Sequence, residues 1–397
     1  MDSDSKISAS GPTLESWARD GEAVAIVLRQ RLEPAEGVGA VICPPTYANI
    51  GYNTSVLSDG TRMCMLDTVA SQANRIEPLF AKAPLDELVP QFKILFEGKD
   101  EGKTVQKSVS LFDAGHRLAD AVVRCSRPID GGVDLAASAR DAFRKAHLEG
   151  ITSAMAKIAP TSLIFGLWDS RESHVKVPRI VQSVIRAWDV SVLRHAVNYV
   201  PPIDYRAEGL VDPSFFEKGE EQTGGKAGKK AASKEGFANA LDDGDKGGIV
   251  VHGEIRRELT INLGAVRKLR GETETETARL REYILTLALL AAVQPFDGDL
   301  RSGCLLVAAQ STWEIVRHDG TRASITLDPA ELLALARAKA AAFGVGAGGV
   351  VQFDPKLAQL ACKNADSDGS GKRGRKKSAA ASAADGSDDQ GEVGAAA

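Results

Sequence analysis

The segment Val250–Asn262 alternates apolar and polar residues along its length, which is the pattern of a strand with one buried face. Ala23–Leu32 is equally rich in residues that favour strands. An Asp-Gly pair, Asp319 and Gly320, predicts that Trp313–Leu327 is a hairpin. Helical patterns lie between these strands, but without the regular alternation of a parallel sheet. The chain therefore predicts an α+β fold with an antiparallel sheet, for which the split βαβ arrangement is one solution.

Further elements follow from periodicity and turn chemistry. Apolar residues at helical spacing predict helices over Leu66–Phe80, Phe112–Arg124, Ala136–Leu148 and Glu282–Val293. Another helix is predicted from Asp328, its cap, to Gly344, where it ends. Alternation or apolar runs predict strands over Pro160–Ser170 and Leu300–Ala308, and Ser58–Thr61 is a hairpin turn.

Two segments of low complexity interrupt the folded part of the 397-residue chain. Residues 217–248 are rich in Gly, Lys and Ala, and the C-terminal segment holds one large apolar residue, Val393, beyond position 364. Such compositions cannot bury a core. We therefore predict a flexible N-terminus at 1–21, a folded domain with insertions at 22–216 and 249–362, a flexible loop at 217–248, and a disordered tail at 363–397.

Several classes of protein are excluded by missing motifs. The five cysteines are far apart and form no Cys-x-x-Cys pair, which excludes a zinc ribbon and suits a reducing cytoplasm. No HExxH, Walker A or GxSxG motif occurs. Gly344, Gly346 and Gly349 fit GxGxxG formally, but they follow a predicted helix instead of opening one. The longest apolar run, Tyr283–Val293, is too short to span a membrane. We expect a cytoplasmic protein with no catalytic residue, metal site or cofactor.

The predicted helix at Leu66–Phe80 carries mainly amides and hydroxyls opposite its apolar stripe. Most solvated helix faces are rich in Glu and Lys, so this composition suits hydrogen bonds to sugars and phosphates. A contact between two elements of the protein explains the same composition equally well. The residues of this polar face are Thr68, Ser71, Gln72, Asn74 and Arg75.

Cationic residues cluster in three ordered segments, 29–31, 117–127 and 171–186. Cations attract phosphates and neighbouring hydroxyls orient them, so this mixture favours a nucleic-acid partner over a protein partner. The candidate contacts in and around these segments are Arg29, Arg31, His116, Arg117, Ser162, Arg171, His174, Lys176 and Arg179.

Four strings in the sequence resemble a known family. They are RQRLEP (29–34), PPTYA (44–48), LDTVASQANRIE (66–77) and APTSLIFGLWDSR (159–171). They look like the backbone RAMP subunit of a type I CRISPR surveillance complex, or Cascade, in the subtype I-G (formerly I-U) branch of the Cas-seven family. The loop at 217–248 and the C-terminal tail are not part of this pattern.

The resemblance implies an RNA-recognition-like (ferredoxin-like) palm with finger and thumb insertions. Copies of the chain would stack as a helical oligomer along guide crRNA, grip its sugar–phosphate backbone independently of sequence, and present its bases to target DNA in antiviral defence. The polar helix face and the cationic segments would contact the RNA. Further partners implied for this ribonucleoprotein are Cas-five/Cas-six-like subunits, a large subunit and a recruited helicase-nuclease.

Two other functions stay open from the sequence. Backbone subunits of type III complexes cut target RNA with a loop aspartate and a divalent metal, a role that Asp113 or Asp169 could fill. A structural oligomer without RNA is the second alternative.

Overall fold

The computed structural model describes residues 7–8, 11–19, 21–100, 102–216, 232, 235–238, 240–244 and 246–364. The predicted tail beyond residue 364 and most of the predicted loop at 217–248 lie outside these described residues. Within the predicted flexible N-terminus, Gly11–Arg19 is a helix that buries Leu14, Trp17 and Ala18. This stretch is therefore folded, because its apolar side has a core to pack against.

The strands are, in chain order, β1 Ile7–Ser8, β2 Ala23–Pro34, β3 Val41–Ile42, β4 Asn53–Val56, β5 Arg62–Asp67, β6 Gln91–Asp100, β7 Lys103–Ser110, β8 Ser126–Pro128, β9 Leu167–Trp168, β10 Lys176–Val177, β11 Val181–Trp188, β12 Val190–Val192, β13 His195–Tyr199, β14 Ala240–Gly244, β15 Ile249–Val251, β16 Ile255–Asn262, β17 Asp299–Arg301, β18 Cys304–Arg317, β19 Arg322–Thr326 and β20 Gly348–Phe353. Strand β14, paired with β13, lies inside the segment predicted to be a loop.

The α-helices are α1 Gly11–Arg19, α2 Val69–Ile76, α3 Ala121–Arg124, α4 Leu135–Glu149, α5 Ser153–Ile158, α6 Pro160–Phe165, α7 Leu263–Arg267, α8 Glu274–Val293 and α9 Pro329–Phe343. Residues 355–364 are also helical. Short 3₁₀ turns occupy Glu77–Ala81, Asp86–Leu88, Leu111–Asp113, Arg117–Ala119 and Pro213–Phe216. No helix among the described residues has both the length and the apolar character needed to span a bilayer.

The chain divides into two compact units, which we describe over the residues given above. The first comprises Met1–Glu77, Arg179–Lys268 and Arg281–Ala336, and the second comprises Pro78–Pro178, Leu269–Leu280 and Arg337–Ala397. The first unit is built on a sheet with the order β1-β19-β18-β2-β16-β11-β5-β4, to which β17 adds beside β18. Pairing is antiparallel throughout except between β1 and β19.

Four central strands of this sheet, β18-β2-β16-β11, pair antiparallel in an order compatible with the split βαβ arrangement. Their inward face and the neighbouring strands form a core that includes Leu32, Leu66, Ile185 and Ile255, all nearly inaccessible to solvent. The predicted α+β class with an antiparallel sheet is confirmed. The hairpin around Asp319 and the helix between Asp328 and Gly344 also form as predicted.

The second unit contains a sheet with the order β7-β6-β20-β8, in which β20 pairs parallel to β6 and the other pairs are antiparallel. Helix α4 begins after its cap Asp134 and ends at Gly150, within two residues of the prediction. A separate two-stranded hairpin joins β9 to β10. This hairpin follows α6 and carries several of the candidate RNA contacts.

Five predicted elements differ in the structure. The strand predicted at Val250–Asn262 is divided into β15 and β16, and the strand predicted at Leu300–Ala308 is divided between β17 and β18 by a turn. Pro160–Phe165 is a helix rather than a strand, because all six residues are buried and a short apolar segment does not reveal its period. The predicted helix Phe112–Arg124 is two 3₁₀ turns and the four-residue α3, since Ser110 and Asp120 each cap a new start. The predicted helix Leu66–Phe80 is shortened to α2, because Leu66 and Asp67 belong to β5.

Candidate nucleic-acid interface

The outward face of the first unit's sheet carries a groove across β2, β16 and β18. Residues on these strands alternate between the two faces, so every second side chain reaches the groove. The register pairs Arg31 with Arg256 on one side and with Gln310 on the other. Two residues along β2, Arg29 pairs with Glu258 and Thr312. The groove has a volume of about 510 Å³ and is lined by Arg29, Arg31, Glu254, Arg256, Glu258, Gln310 and Thr312. Gln30 also borders it, although its amide bonds to Arg257 and Ser311 on the other face of the sheet.

The arginines of this groove, hereafter the arginine groove, are open to solvent. The side chains of Arg29, Arg31 and Arg256 are 53%, 45% and 47% exposed. Arg186 of β11 is directly beside Arg256 and is more covered. The guanidinium of Arg256 lies over the ring of Trp188, 5.6 Å from its centroid. This arrangement holds a planar cation in place while its edge remains available for hydrogen bonds.

Each arginine of the face has a glutamate within reach. The shortest N–O distances are 2.7 Å for Arg31–Glu33, 2.6 Å for Arg256–Glu254, 3.1 Å for Arg186–Glu258 and 3.8 Å for Arg29–Glu314. Glu314 also pairs with Arg322 at 2.9 Å, so five cations share four anions and this face is only weakly positive. Because these pairs are exposed, each contributes little to stability. A phosphate can therefore replace a carboxylate at low cost, and guanidinium groups bind both in a fork-like geometry.

The polar face predicted on Leu66–Phe80 has a different environment. Thr68 caps α2, with its Oγ1 accepting from the Ser71 backbone N–H at 3.1 Å. Gln72 is buried, while Asn74 is exposed and Ser71 is half-buried. Thr68 and Gln72 thus use their side chains within the protein.

A buried network explains why Gln72 turns inward. The Gln72 amide donates to Asp67 Oδ2 at 2.6 Å, and its oxygen accepts from Ser183 Oγ at 2.7 Å and from Arg257 Nε at 3.2 Å. Arg257 Nη1 also donates to Gln30 Oε1 at 2.8 Å. The alternative interpretation, a contact between elements of the protein, is therefore correct for Gln72.

Arg75 belongs to the same network. Its Nε donates to Asp67 Oδ2 at 3.1 Å, and Nη1 and Nη2 donate to the carbonyls of Asp299 and Leu300 at 3.1 and 2.8 Å. A guanidinium that joins a buried carboxylate to two backbone carbonyls has few donors left for phosphate. We therefore replace the predicted RNA contact at Arg75 with a structural role.

Arg257 is the buried cation at the centre of this network. It is 3% exposed, and its guanidinium lies 5.2 Å from the centroid of the Phe296 ring. Burial lowers the pKa of Arg257 to about 10, and the charge of Asp67 acts in the opposite direction. Arg257 is therefore cationic at neutral pH, and its hydrogen bonds to neutral oxygens offset part of the cost of burial.

In the second unit the structure brings together two candidates from separate segments. Arg117 is buried and adopts a left-handed backbone conformation (φ 54°). Its Nη1 donates to the Gly166 carbonyl at 3.1 Å, and its guanidinium lies 5.7 Å from the Phe165 ring centroid. Ser162 is also buried and accepts from the Leu118 N–H at 3.4 Å. Arg117 and Ser162 are therefore buried and bonded within this unit, and neither is proposed below as an RNA contact.

The remaining candidates in this region are accessible. Arg171, His174 and Lys176 are exposed on the β9–β10 hairpin, and His116 is exposed beside Arg117. Arg179 is half-buried and belongs to the first unit. The hairpin thus presents three of the predicted contact residues to solvent.

Asp169, one of the two aspartates considered for metal-dependent cleavage, is a buried loop anchor. Its carboxylate accepts from the backbone N–H groups of Arg171, Glu172 and Ser173 and from Ser173 Oγ, at 2.7–3.2 Å. Burial acts to raise the pKa of Asp169, but these hydrogen bonds outweigh it and the pKa is lowered. Asp113 lies in a capping box with Ser110. Across the described ranges, no group of three or more His, Cys, Asp or Glu side chains is placed to hold a metal ion.

Sequence reasoning missed four residues that the structure adds. Arg256, Gln310 and Thr312 join Arg29 and Arg31 only because β16 and β18 pair with β2 in one register. The alternation in 250–262 does place Arg256 opposite the apolar face, but it does not identify the neighbouring strand. The exposure of Trp168 was also missed, because the strand prediction for Pro160–Ser170 was incorrect over most of that segment.

Comparison with known proteins provides one match. Residues 26–192 match the model of the family described as CRISPR-associated protein GSU0053. The matched range is less than half of the chain, and it includes most of β2, all of α2 and the β9–β10 hairpin. No curated protein matches the sequence. The family match supports a CRISPR-associated protein.

Proposed function

We propose that this chain is a noncatalytic guide-RNA-binding backbone subunit of a type I CRISPR effector complex, in the subtype I-G branch. Copies of the chain bind along guide crRNA, hold its sugar–phosphate backbone without reading its sequence, and leave the bases to pair with target DNA. The observation that carries this proposal is the arginine groove on the open face of the antiparallel sheet, at Arg29, Arg31 and Arg256.

The chemistry of the groove suits backbone binding. Three solvent-exposed guanidinium groups, an amide and a hydroxyl come from three adjacent strands. Guanidinium groups bind phosphate oxygens, and neutral donors and acceptors suit the 2′-hydroxyl of RNA. Such contacts fix the position of a strand but carry no information about its sequence. A guide-holding subunit requires that property, because every guide differs.

The hydrogen bonding of Asp169 favours this proposal over metal-dependent cleavage. Four donors already occupy its two carboxylate oxygens, and the bonds hold a tight turn. A catalytic aspartate needs oxygens that are open to metal or to substrate. The type III-like alternative would then depend on Asp113, which is exposed.

The test is to express the full chain together with a repeat-spacer RNA precursor and the processing partners, and to purify it at moderate salt. We expect a high 260/280 nm absorbance ratio and copurified RNA of uniform guide length. The variant R29E/R31E/R256E should lose that RNA, while R337E, a charge reversal at an exposed arginine in α9, should retain it. A folded but RNA-free protein would contradict the proposal and favour the structural oligomer. Cleavage of bound complementary RNA that requires a divalent metal and Asp113 would favour the type III-like alternative.

A further inference from the structure

Trp168 is unusually open for a tryptophan. It is 59% exposed, whereas Trp17 is 6% exposed and Trp188 and Trp313 are half-buried. Tryptophan is buried on average, and a single exposed aromatic has no significance by itself. Its surroundings give it significance, because Lys176 is paired with it across the β9–β10 hairpin and the Lys176 ammonium lies 5.9 Å from the ring centroid.

The hairpin that presents this ring is fixed at both its tip and its base. At the tip, Asp169 is 1% exposed and its carboxylate accepts four hydrogen bonds from the turn that follows. At the base, Arg117 donates to the Gly166 carbonyl, and Leu167 is buried. An indole on such a support loses little conformational freedom when a ligand covers it.

The exposed cations beside the ring are Arg171 and Lys176, with His174 between them in the chain. The hairpin also holds two acidic residues: Asp169 is buried with its carboxylate hydrogen-bonded within the turn, and Glu172 lies 3.8 Å from the guanidinium of Arg124. The exposed side of the hairpin therefore combines an aromatic ring with two cations. This combination binds single-stranded nucleic acids, in which a base stacks on the ring and cations hold the flanking phosphates.

We propose that Trp168 is a stacking platform for one unpaired nucleobase, with Lys176 and Arg171 on the adjacent phosphates. This inference rests on the proposed function, because it assumes that the chain binds nucleic acid, and it adds a base contact to a subunit otherwise expected to hold backbone. The stacked base can come from the guide RNA or from target DNA. Stacking tolerates any base because each has a π-face, so the contact does not impose a sequence.

The test measures binding of fluorescently labelled oligonucleotides to the full-length chain by polarisation. The ligands are oligo-U RNA, oligo-dT DNA and matched strands in which abasic sites replace the central nucleotides. The variants are Trp168→Ala and Trp168→Phe, with Phe215→Ala as the control because Phe215 is a 53% exposed aromatic in another turn. Thermal unfolding of each variant establishes that the fold is intact.

Trp168→Ala should weaken binding of a base-containing strand roughly 5- to 150-fold and leave binding of its abasic counterpart unchanged. Trp168→Phe should retain wild-type affinity within about threefold, and Phe215→Ala should match wild type. A loss with oligo-U assigns the base to the guide, and a loss confined to oligo-dT assigns it to the target. If Trp168→Ala binds every strand as tightly as wild type, the stacking proposal is overturned. The proposed function still stands in that case, provided that the arginine-groove variant R29E/R31E/R256E loses RNA. Failure of the wild-type chain to bind any of these strands would contradict both.

Discussion

Arg256 and Arg257 are consecutive residues of β16 whose side chains lie on opposite faces of the sheet. Arg256 is half-exposed in the arginine groove, whereas Arg257 is 3% exposed and bonded to Gln72, Ser183 and Gln30. The alternation of a strand separates the two guanidinium groups by one residue in sequence and by the full thickness of the sheet. One is placed to meet a ligand, and the other holds the sheet to α2.

Exchanging each arginine for alanine should separate these roles. Arg257→Ala leaves the buried side chains of Gln72 and Ser183 and the half-buried side chain of Gln30 without their cation, so we expect the free energy of unfolding to fall by about 2–4 kcal/mol. Arg256→Ala removes an exposed ion pair and should change stability by less than about 1 kcal/mol. Denaturant titration measures both, and equal destabilisation by the two variants would contradict the assignment of faces.

Arg31 and Glu33 form a pair whose members should have opposite effects on RNA binding. Arg31→Ala should weaken binding of all RNA sequences alike and reduce the slope of log affinity against log salt by about one unit. Glu33→Gln should strengthen RNA binding. The Glu33 carboxylate lies 2.7 Å from the Arg31 guanidinium and competes with phosphate for it. Arg337→Ala is the matched control, since Arg337 is an equally exposed arginine with a glutamate at 2.7 Å. If Arg337→Ala lost as much RNA affinity as Arg31→Ala, the loss would reflect the overall charge of the protein and not a specific contact in the arginine groove.

Asp169 should make stability depend on pH in the acidic range. Its pKa is lowered in the folded state, so its carboxylate stabilises the fold above the unfolded pKa of about 3.9, and that contribution is lost as the pH falls through the folded value. Asp169→Asn should therefore cost about 1–3 kcal/mol at pH 7. The difference between the two proteins should shrink as the pH is lowered below about 4. Urea denaturation at several pH values measures it, and a difference that is constant down to pH ~2 would refute this account.

The N-terminal helix gives a test of the fold itself. Trp17 is buried, and its carbonyl accepts a hydrogen bond from Arg267 at 3.2 Å. Trp17→Ala should lower the free energy of unfolding by about 3–5 kcal/mol because it leaves a large cavity. Trp17→Phe keeps an aromatic ring at this position and should cost less than Trp17→Ala. A neutral Trp17→Ala would instead agree with the flexible N-terminus expected from composition.

The most local signals in the sequence predicted their elements well. The Asp-Gly pair at 319–320 fixed a hairpin, and the sequence from Asp328 to Gly344 marked both ends of a helix, since turn and cap preferences act over a few residues. Pro160–Phe165 was mistaken for a strand, because a segment buried on every side shows neither period. Because of this error, Trp168 was not identified from the sequence as an exposed residue.

From the sequence alone it follows that residues 29 and 31 share one face of a strand, that amides and hydroxyls lie on α2 opposite its apolar stripe, and that the fold is α+β with an antiparallel sheet. Tertiary packing sets the direction in which these side chains point. Gln72 of α2 turns inward because Arg257, 185 residues away in the chain, is the buried cation from which its amide oxygen accepts a hydrogen bond. Strand register likewise brings Arg256 beside Arg31. Side-chain periodicity is a local property of the backbone, whereas a partner for a buried charge comes only from the packing of distant segments.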